Sequence, residues 1–488
     1  MSSYRIRMSG AIVVQQKKRK ESSTDNYTNV FFNQDCVAGA AEHLPDASVD
    51  LLISDPPYGI DGGSLHKHYN RDESNVLDGY VEVAAGDYRA FSSNWIRQAA
   101  RVLKPGAMLI VVSGYSQLLP VLDALESPAN GLAYHRHIVW KYNFGVWTTK
   151  KYVSSHYHIL CYTKRGGSAR TPALATPSIA DSVWVLNREY KPGEVKNKNQ
   201  LPSSLLNRLL DVGAAPDGAL VADFFLGSFS TARAAIERGL NATGFEVNKE
   251  AFEHWCPVTN EKLATRGGAK KVAVTNAPPP PPAKTLVAAA AAVVIPATTA
   301  VAVMPVAAAN SVAVVICWSR EVPTADWLAR VVAVMRPAGS LYLVVTPEQL
   351  RAALTLLQAQ AGGLKEINHI VWRRTKAALS SAAASSHNHI LFLEKHAGRG
   401  TARTFNAFAV FEQTTRRSDG RSANYVDRED VWWNQPKDNN EHDTTMTWID
   451  VVRKAITYSS NAGDVIGDFS ADNSVEQVVT ELKRAYVV

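Results

Sequence analysis

Beyond residue 311 this 488-residue chain repeats its first half, and that repetition restricts the fold to two copies of one architecture. Ser311 to Ile316 echoes Ser48 to Ile53. Trp327, Arg336-Pro337 and Leu341 echo Trp95, Lys104-Pro105 and Leu109 at a constant offset of 232, and His369-Ile370-Val371-Trp372 repeats His137-Ile138-Val139-Trp140 at the same offset. Ser385 to Leu391 repeats Ser154 to Leu160 at an offset of 231, and Gly463 to Phe469 repeats Gly218 to Phe224. Chance could supply one such echo, but not five in order. At 46% hydrophobic content the chain can fill two cores.

The first copy carries the chemistry. Its apolar run Val49-Asp50-Leu51-Leu52-Ile53-Ser54 reads as a buried strand and closes in Asp55-Pro56-Pro57-Tyr58. The two prolines fix φ and lack N–H donors. Residues before proline are pushed out of helical geometry, so the tetrapeptide stays extended at the strand tip. That shape suits gripping a planar, amine-bearing ring: the carboxylate and a proline carbonyl accept from an exocyclic NH2, and Tyr58 stacks on the ring face. Alone, the string also fits an ordinary strand-to-turn transition.

Support lies about 170 residues downstream. Ala219 to Ser228 reads as an apolar strand followed by a small-residue turn, which opens a helix over Ser230 to Gly239. A second strand, Ala242 to Val247, carries Glu246 at its end. Strand, tight turn, helix and a strand with a terminal acid form the unit that doubly wound folds use for a nucleoside. An ionised carboxylate there can take both ribose hydroxyls. Val30 to Cys36 puts another acid, Asp35, at a strand end early in the chain.

Together these pieces resemble the N6-adenine/N4-cytosine DNA methyltransferases, in the permuted order that places the catalytic motif before the cofactor motif. The resemblance covers residues 28 to 255 and includes Ala99 to Val112, His137 to Lys141 and Ser155 to Leu160. It implies an α/β protein of two Rossmann-like class I methyltransferase domains, each a doubly wound mixed sheet, with S-adenosylmethionine as cofactor. Asp55, Pro56, Pro57 and Tyr58 match the catalytic tetrapeptide. Asp223, Phe225, Gly227, Ser228 and Thr231 match the loop under the cofactor. Glu246 matches the ribose acid, Asp35 the acid facing the cofactor adenine, and Cys36 and Asn248 adjoin these positions.

An aspartate in first place is usually associated with adenine, so adenine N6 in DNA is the expected target. RNA adenine and cytosine N4 are the alternatives, because one pocket serves any flipped or single-stranded base. The chain also departs from the family pattern. Phe224 replaces a proline and Phe229 a glycine, and Asn197-Lys198-Asn199-Gln200-Leu201-Pro202 lacks the family's histidine and lysine. Glycine can take positive φ where phenylalanine does so with difficulty. These departures keep a competing class open, a nucleic-acid-binding adaptor with both copies inactive.

The second copy has lost the ligand-binding residues. Trp318-Ser319-Arg320-Glu321 stands in place of the tetrapeptide, Asp472-Asn473 in place of Gly227-Ser228, and the sequence closes at Tyr486-Val487-Val488 without a match to Glu246. This arrangement resembles eukaryotic adenine methyltransferase heterodimers, in which a degenerate subunit helps hold nucleic acid. Here both would lie in one chain as an intramolecular pseudo-dimer, held closed by high effective concentration. Arg373, Arg374, Lys376, Arg399, Arg403, Arg416, Arg417 and Arg421, with Lys150, Lys151, Lys164 and Arg165 of the first copy, would form a shared phosphate track. Scattered solvated charges are the alternative reading.

The net charge of +7 and pI near 9.0 suit a polyanionic partner. Cys36, Cys161, Cys256 and Cys317 are too dispersed for a zinc site or disulfide framework, which favours a reducing compartment and metal-free chemistry. The organisation expected is a basic flexible tail (1–27), a catalytic domain (28–265), a Pro/Ala-rich linker (266–310) and a degenerate domain (311–488). Lys17-Lys18-Arg19-Lys20 suits nuclear import, with mitochondrion or cytoplasm as alternatives. Pro296, Pro305, Thr298 and Thr299 interrupt the Ala/Val tract from Leu286 to Ala309, so a linker is expected there and no membrane span.

Overall fold

A computed structural model describes residues 6–8, 11–13, 27–59, 83–143, 145–170, 181–189, 200–266, 308–318, 321–359, 363–374, 386–398, 400–433, 446–470 and 475–487. The basic run 17–20, most of the proposed linker, residues 197–199, Ser319, Arg320, Lys376, Arg399, Asp472 and Asn473 lie outside them. Among the described residues no helix is long and apolar enough to cross a membrane.

The strands in chain order are β1 (Ile6–Met8), β2 (Ala11–Val13), β3 (Phe31–Phe32), β4 (Val49–Ser54), β5 (Leu103–Ser113), β6 (Leu132–Lys141), β7 (His156–Lys164), β8 (Val183–Val185), β9 (Leu220–Asp223) and β10 (Asn241–Phe245). They continue as β11 (Val312–Trp318), β12 (Met335–Val345), β13 (Leu364–Arg373), β14 (His387–Lys395), β15 (Val431–Trp432), β16 (Val465–Asp468) and β17 (Ala485–Val487). One sheet runs β1-β2-β3-β10-β9-β4-β5-β7-β6-β8, the other β15-β13-β14-β12-β11-β16-β17. Read from its far edge, the second sheet reproduces the first from β10 to β8, strand for strand. The directions match too: β4 is parallel to β5 and β9, and β11 to β12 and β16, while β7 and β14 run antiparallel to their neighbours.

Burial explains the central strands. All six residues of β4 are buried, as expected for a strand covered on both faces. The helix Tyr88–Val102 buries Ser92, Trp95, Ile96, Ala99 and Ala100, a stripe at i, i+3, i+4, i+7 and i+8 against the sheet. From β4 the chain crosses to β5 on one side, while β9 crosses to β10 on the other. The crevice beyond the tips of β4 and β9 is therefore a topological switch point, where doubly wound sheets bind ligands.

The two sheets meet through contacts that recur at matching positions. His137 Nε2 lies 3.0 Å from His158 Nδ1, and His369 Nε2 lies 2.9 Å from His389 Nδ1. Across the seam, the His137–His389 and His158–His369 ring centroids are each 4.6 Å apart. Lys141 pairs with Glu429 at 2.9 Å and Arg373 with Asp181 at 2.5 Å. Ser155 N donates to Asp430 Oδ1 (2.9 Å) and Ser386 N to Ser182 Oγ (3.0 Å). The buried Tyr152 enters the second core, and its backbone N and O both pair with the Asn368 amide. One apolar cluster spans both units, with Leu118 and Leu122 in the same core as Leu350 and Leu354.

Candidate active site

Three strand tips converge. Asp55 follows β4 and is partly buried, with Tyr58 folded back so that its hydroxyl donates to Asp55 Oδ1 at 2.5 Å. Tyr88 Oη donates to the Pro57 carbonyl at 2.5 Å, so of the two proline carbonyls this one already has a donor. Gly59 has φ +62°, and a Cβ there would meet the Tyr88 ring at 2.5 Å. Only glycine fits that turn without displacing the ring that anchors Pro57. The Tyr58 ring stacks on Tyr157, centroids 5.1 Å apart.

Beside it, Asp223 ends β9. Its Oδ1 accepts from Phe225 N at 3.0 Å and Ser54 Oγ at 3.3 Å, and Thr231 also bonds the carboxylate. Ser54 Oγ in turn accepts from Phe224 N at 3.0 Å, which ties the tips of β4 and β9 together. A proline at 224 would lack that N–H donor, so this link between the tips depends on the residue that replaces it. Glu246, after β10, accepts from Gly227 N at 2.7 Å and from Asn248 N at 2.7 Å. Asn33 Nδ2 donates to the Glu246 carbonyl at 2.8 Å, and Val247 leaves an apolar side chain 59% exposed next to it.

Crowding three carboxylates at low dielectric shifts them upward. Burial is the main cause for Asp55, held at about 7, with Asp223 adding repulsion while the Tyr58 hydrogen bond and Arg188 pull the other way. Burial likewise lifts Asp223 to about 6, against hydrogen bonds from Phe225 N, Thr231 and Ser54. Glu246 is raised by burial too. Buried acids at adjacent strand tips in a cleft are what a cationic, hydroxyl-rich ligand can satisfy.

The other expected residues are held by local contacts. Asp35 is exposed, and its Oδ1 accepts from Val37 N and Ala38 N, each at 3.0 Å. That oxygen therefore caps the helix Cys36–His43. Cys36 is buried, with its thiol pushed well above the usual range chiefly by burial. Asn248 caps the next helix through Oδ1, which accepts from Ala251 N at 2.8 Å. Ser228 and Thr231 are buried under the loop, and Phe225 packs edge-on against Trp95 at 5.3 Å.

Phe229 does adopt the left-handed conformation expected of a glycine, at φ 59°. Its ring is fully buried against Phe31 (5.2 Å) and Phe252 (5.8 Å), away from the three carboxylates. The strain, about 1–2 kcal/mol, is outweighed by the burial. Phe229→Gly should therefore destabilise the fold by about 2–3 kcal/mol, since losing a buried Phe costs about 3–5 kcal/mol. Urea unfolding tests this, and an unchanged or raised midpoint would contradict it.

The described residues of the expected phosphate track do not all lie at the catalytic end of the sheet. Lys164 donates to Asn130 O (2.9 Å) and Arg165 to Leu132 O (3.1 Å). Both sit at the far end of β7, while Asp55 follows β4 at the end where β5 pairs with the start of β7. Arg373 is held by Asp181 and stacks over Trp433 at 5.0 Å. Arg403 pairs with Glu394 at 2.6 Å, and Arg421 with Asp419 at 2.8 Å. Arg417 faces Asp419 at 3.8 Å and Arg416 donates to Gln413 O at 3.1 Å. Lys150 and Lys151 do emerge at the catalytic edge, Lys151 5.8 Å over the Tyr115 ring. Arg374 is only partly buried at the end of β13.

In the second copy Trp318 occupies the place of Asp55 and packs against Trp448 (5.0 Å) and Trp372 (5.2 Å), so an indole cluster fills the equivalent crevice. Asp468, the counterpart of Asp223, accepts from Ser470 and from Tyr486 Oη (3.2 Å). The residues that sequence alone did not single out are Ser54, Tyr88, Tyr157, Arg188 and Val247. Only Val247 carried a signal, as an apolar residue directly after a strand-ending acid.

The N6/N4 methyltransferase family model, described as DNA methylase, matches residues 49–255 and 323–488. Among curated proteins, the type II methyltransferase M.HpaI of Haemophilus parainfluenzae is 27% identical over 235 residues, covering 44% of this chain and 69% of that protein. Among solved structures, M1.HpyAVI in complex with SAM is similar over 48% of this chain and 98% of its own, with 18% identity and a TM-score of 0.36. The PvuII DNA methyltransferase, titled cytosine-N4-specific, covers the same 48% of this chain and 86% of its own, with 14% identity and a TM-score of 0.37.

Proposed function

Since the chain belongs to the N6/N4 DNA methylase family, we propose that its first unit methylates the exocyclic amine of a base in DNA, most readily adenine N6, with S-adenosylmethionine as donor. The observation that carries this reading is the convergence of Asp55-Pro56-Pro57-Tyr58 with Asp223 and Glu246 at three adjacent strand tips. The residues present fit the cofactor. Glu246 uses its carboxylate oxygens on two backbone N–H groups yet retains lone pairs for two ribose hydroxyls. Val247 offers an apolar face for an adenine, and the buried Asp223 offers negative charge for the amino group or sulfonium. When bound, the cofactor supplies an electrophilic methyl group.

The chain's own residues do the rest. The amine is a poor nucleophile because its lone pair is delocalised into the ring. Asp55 accepts one amine hydrogen and Pro56 O the other, since Pro57 O is already occupied by Tyr88. This favours a tetrahedral nitrogen whose lone pair points at the methyl. Tyr58, backed by Tyr157, stacks on the flipped ring, worth about 1–3 kcal/mol. Transfer is direct displacement governed by positioning and electrostatics.

The second unit supports without reacting. Its matching seam with the first makes an intramolecular pseudo-dimer, and Tyr152 and Lys141, which flank the loop bearing Lys150 and Lys151, are anchored on it. Nucleic acid would enter over Lys150, Lys151 and the exposed Trp147 at the catalytic edge, with Arg374 beyond them.

Incubating the whole chain with labelled donor and with DNA or RNA, then resolving the nucleosides by mass spectrometry, tests this. N6-methyladenine from DNA is expected. N4-methylcytosine or methylated RNA would move the target, and no methylated base from any substrate would favour an inactive adaptor.

A further inference from the structure

Arg188 belongs to no expected site, yet it stands behind the catalytic tetrapeptide. The segment after β8 is fixed along the edge of β6: Leu186 N donates to Lys141 O at 3.0 Å, and Trp140 Nε1 donates to Leu186 O at 2.9 Å. This delivers Arg188 onto an aromatic wall. Its guanidinium carbon lies 4.6 Å from the Tyr142 ring centroid, 5.5 Å from Tyr157 and 5.9 Å from Trp140. Arg188 Nη2 donates to Tyr157 Oη at 3.0 Å. Tyr157 stacks on Tyr58, and Tyr58 donates to Asp55. A continuous chain of contacts thus runs from the guanidinium to the carboxylate. Among the described residues the buried Nε of Arg188 has no hydrogen-bond partner.

We propose that Arg188 is a positioning residue for methyl transfer, clamping Tyr157 behind Tyr58 and holding a permanent positive charge one aromatic layer behind the pair Tyr58–Asp55. This deepens, and rests on, the methyltransferase reading above. Arginine suits the role: its planar guanidinium stacks on aromatic faces and stays charged at every working pH. Asp55 is bonded by Tyr58, with Asp223 repelling it and Arg188, behind Tyr157, supplying the positive charge that acts on it. Burial and Asp223 push Asp55 towards protonation, so Arg188 acts to keep it an acceptor. Around the guanidinium itself the titratable groups are Tyr157, Tyr142 and Tyr58.

The test compares wild type, Arg188→Met and Arg188→Lys, with Tyr157→Phe as a variant that keeps the ring but removes the hydrogen-bond acceptor. The first readout is the carboxylate 13C resonance of Asp55, assigned with Asp55→Asn and followed against pH in the full chain without substrate. In Arg188→Met the apparent pKa of Asp55 should rise by about half a unit or more, and Arg188→Lys should restore most of that shift. The second readout is kcat, which should fall about 10- to 100-fold in Arg188→Met through misplacement of the stacking wall. It should fall less in Tyr157→Phe, with the KM for the donor unchanged. An Asp55 titration identical in wild type and Arg188→Met, or in Tyr157→Phe a kcat as low as in Arg188→Met with that titration unmoved, would overturn the role of Arg188. Wild-type protein inactive on every nucleic acid would overturn the methyltransferase reading and leave the titration still able to decide the electrostatic coupling.

Discussion

Asp55→Ala is expected to reduce methyl transfer by about a thousandfold or more, with S-adenosylmethionine binding retained. The donor site is built from Asp223, Gly227 and Glu246, none of which depends on Asp55 for its hydrogen bonds. What disappears is the acceptor that turns the amine lone pair toward the methyl, an interaction strongest in the transition state and therefore expressed in kcat. Asp55→Asn separates charge from shape. Its carbonyl oxygen can still accept from the amine, but its own NH2 faces a site arranged for acceptors, so intermediate activity is expected. The wild-type pH profile adds an independent check. With Asp55 at about 7, the carboxylate is protonated as pH falls through neutrality, so kcat/KM should decline on the acid side near pH 7. A bound cationic donor favours the carboxylate, so the limb of kcat should lie at lower pH than that of kcat/KM. Full activity of Asp55→Ala, measured with single-turnover kinetics, would end this mechanism.

The fold was readable because both of its signals are local and periodic. The strand ending at Ser54 announces itself by an apolar run broken only by Asp50, and the two prolines after it have few conformations to choose from. The duplication was readable because strands resist insertion: β5 and β12 keep an offset of 232 from end to end, as do β6 and β13, while β7 and β14 shift by one residue across the intervening loop. The role of charge was not readable. Arg373 looked like a phosphate ligand because its partner, Asp181, is 192 residues away and joins it only when the two sheets pack. Lys164 and Arg165 are basic residues at a strand end, and sequence does not say which end of the sheet holds the chemistry until the pairing of β5 with β7 is known. Arg188 and Tyr157 were invisible for the same reason, since the wall they form draws on segments separated by long stretches of chain. Phe229 shows the opposite failure: residue type argued against a positive φ, and burial of its ring overrode that preference.

Acid should weaken the seam between the two units well before it reaches the carboxylate range. His137, His158, His369, His387 and His389 are all buried there, and burial, reinforced by the neighbouring histidines, holds each below its ordinary value, His137 at about 3. The folded chain keeps these rings neutral while the unfolded chain binds protons below about pH 6.5. Stability rises with pH wherever the unfolded state binds more protons, so this contribution is complete above about pH 6.5 and is lost progressively below it. For His137 alone the loss by pH 5 is about 2 kcal/mol. Four carboxylates work in the other direction. Burial holds Asp55 at about 7 and Asp223 at about 6 and raises Glu246 and Glu429, so acidification relieves a charge in each and favours the folded state down to their unfolded values. Of these acids only Glu429 lies on the seam, where it faces Lys141, so five buried histidines outnumber it there. The thermal midpoint should therefore drop between pH 7 and pH 5, and the drop should persist in high salt because buried groups are poorly screened. His137→Gln with His369→Gln removes a matched pair of titrating rings, so the doubly substituted chain should lose less between the two pH values than wild type. A midpoint independent of pH over that range, or the same decline in both proteins, would show that proton uptake at the seam does not govern its opening.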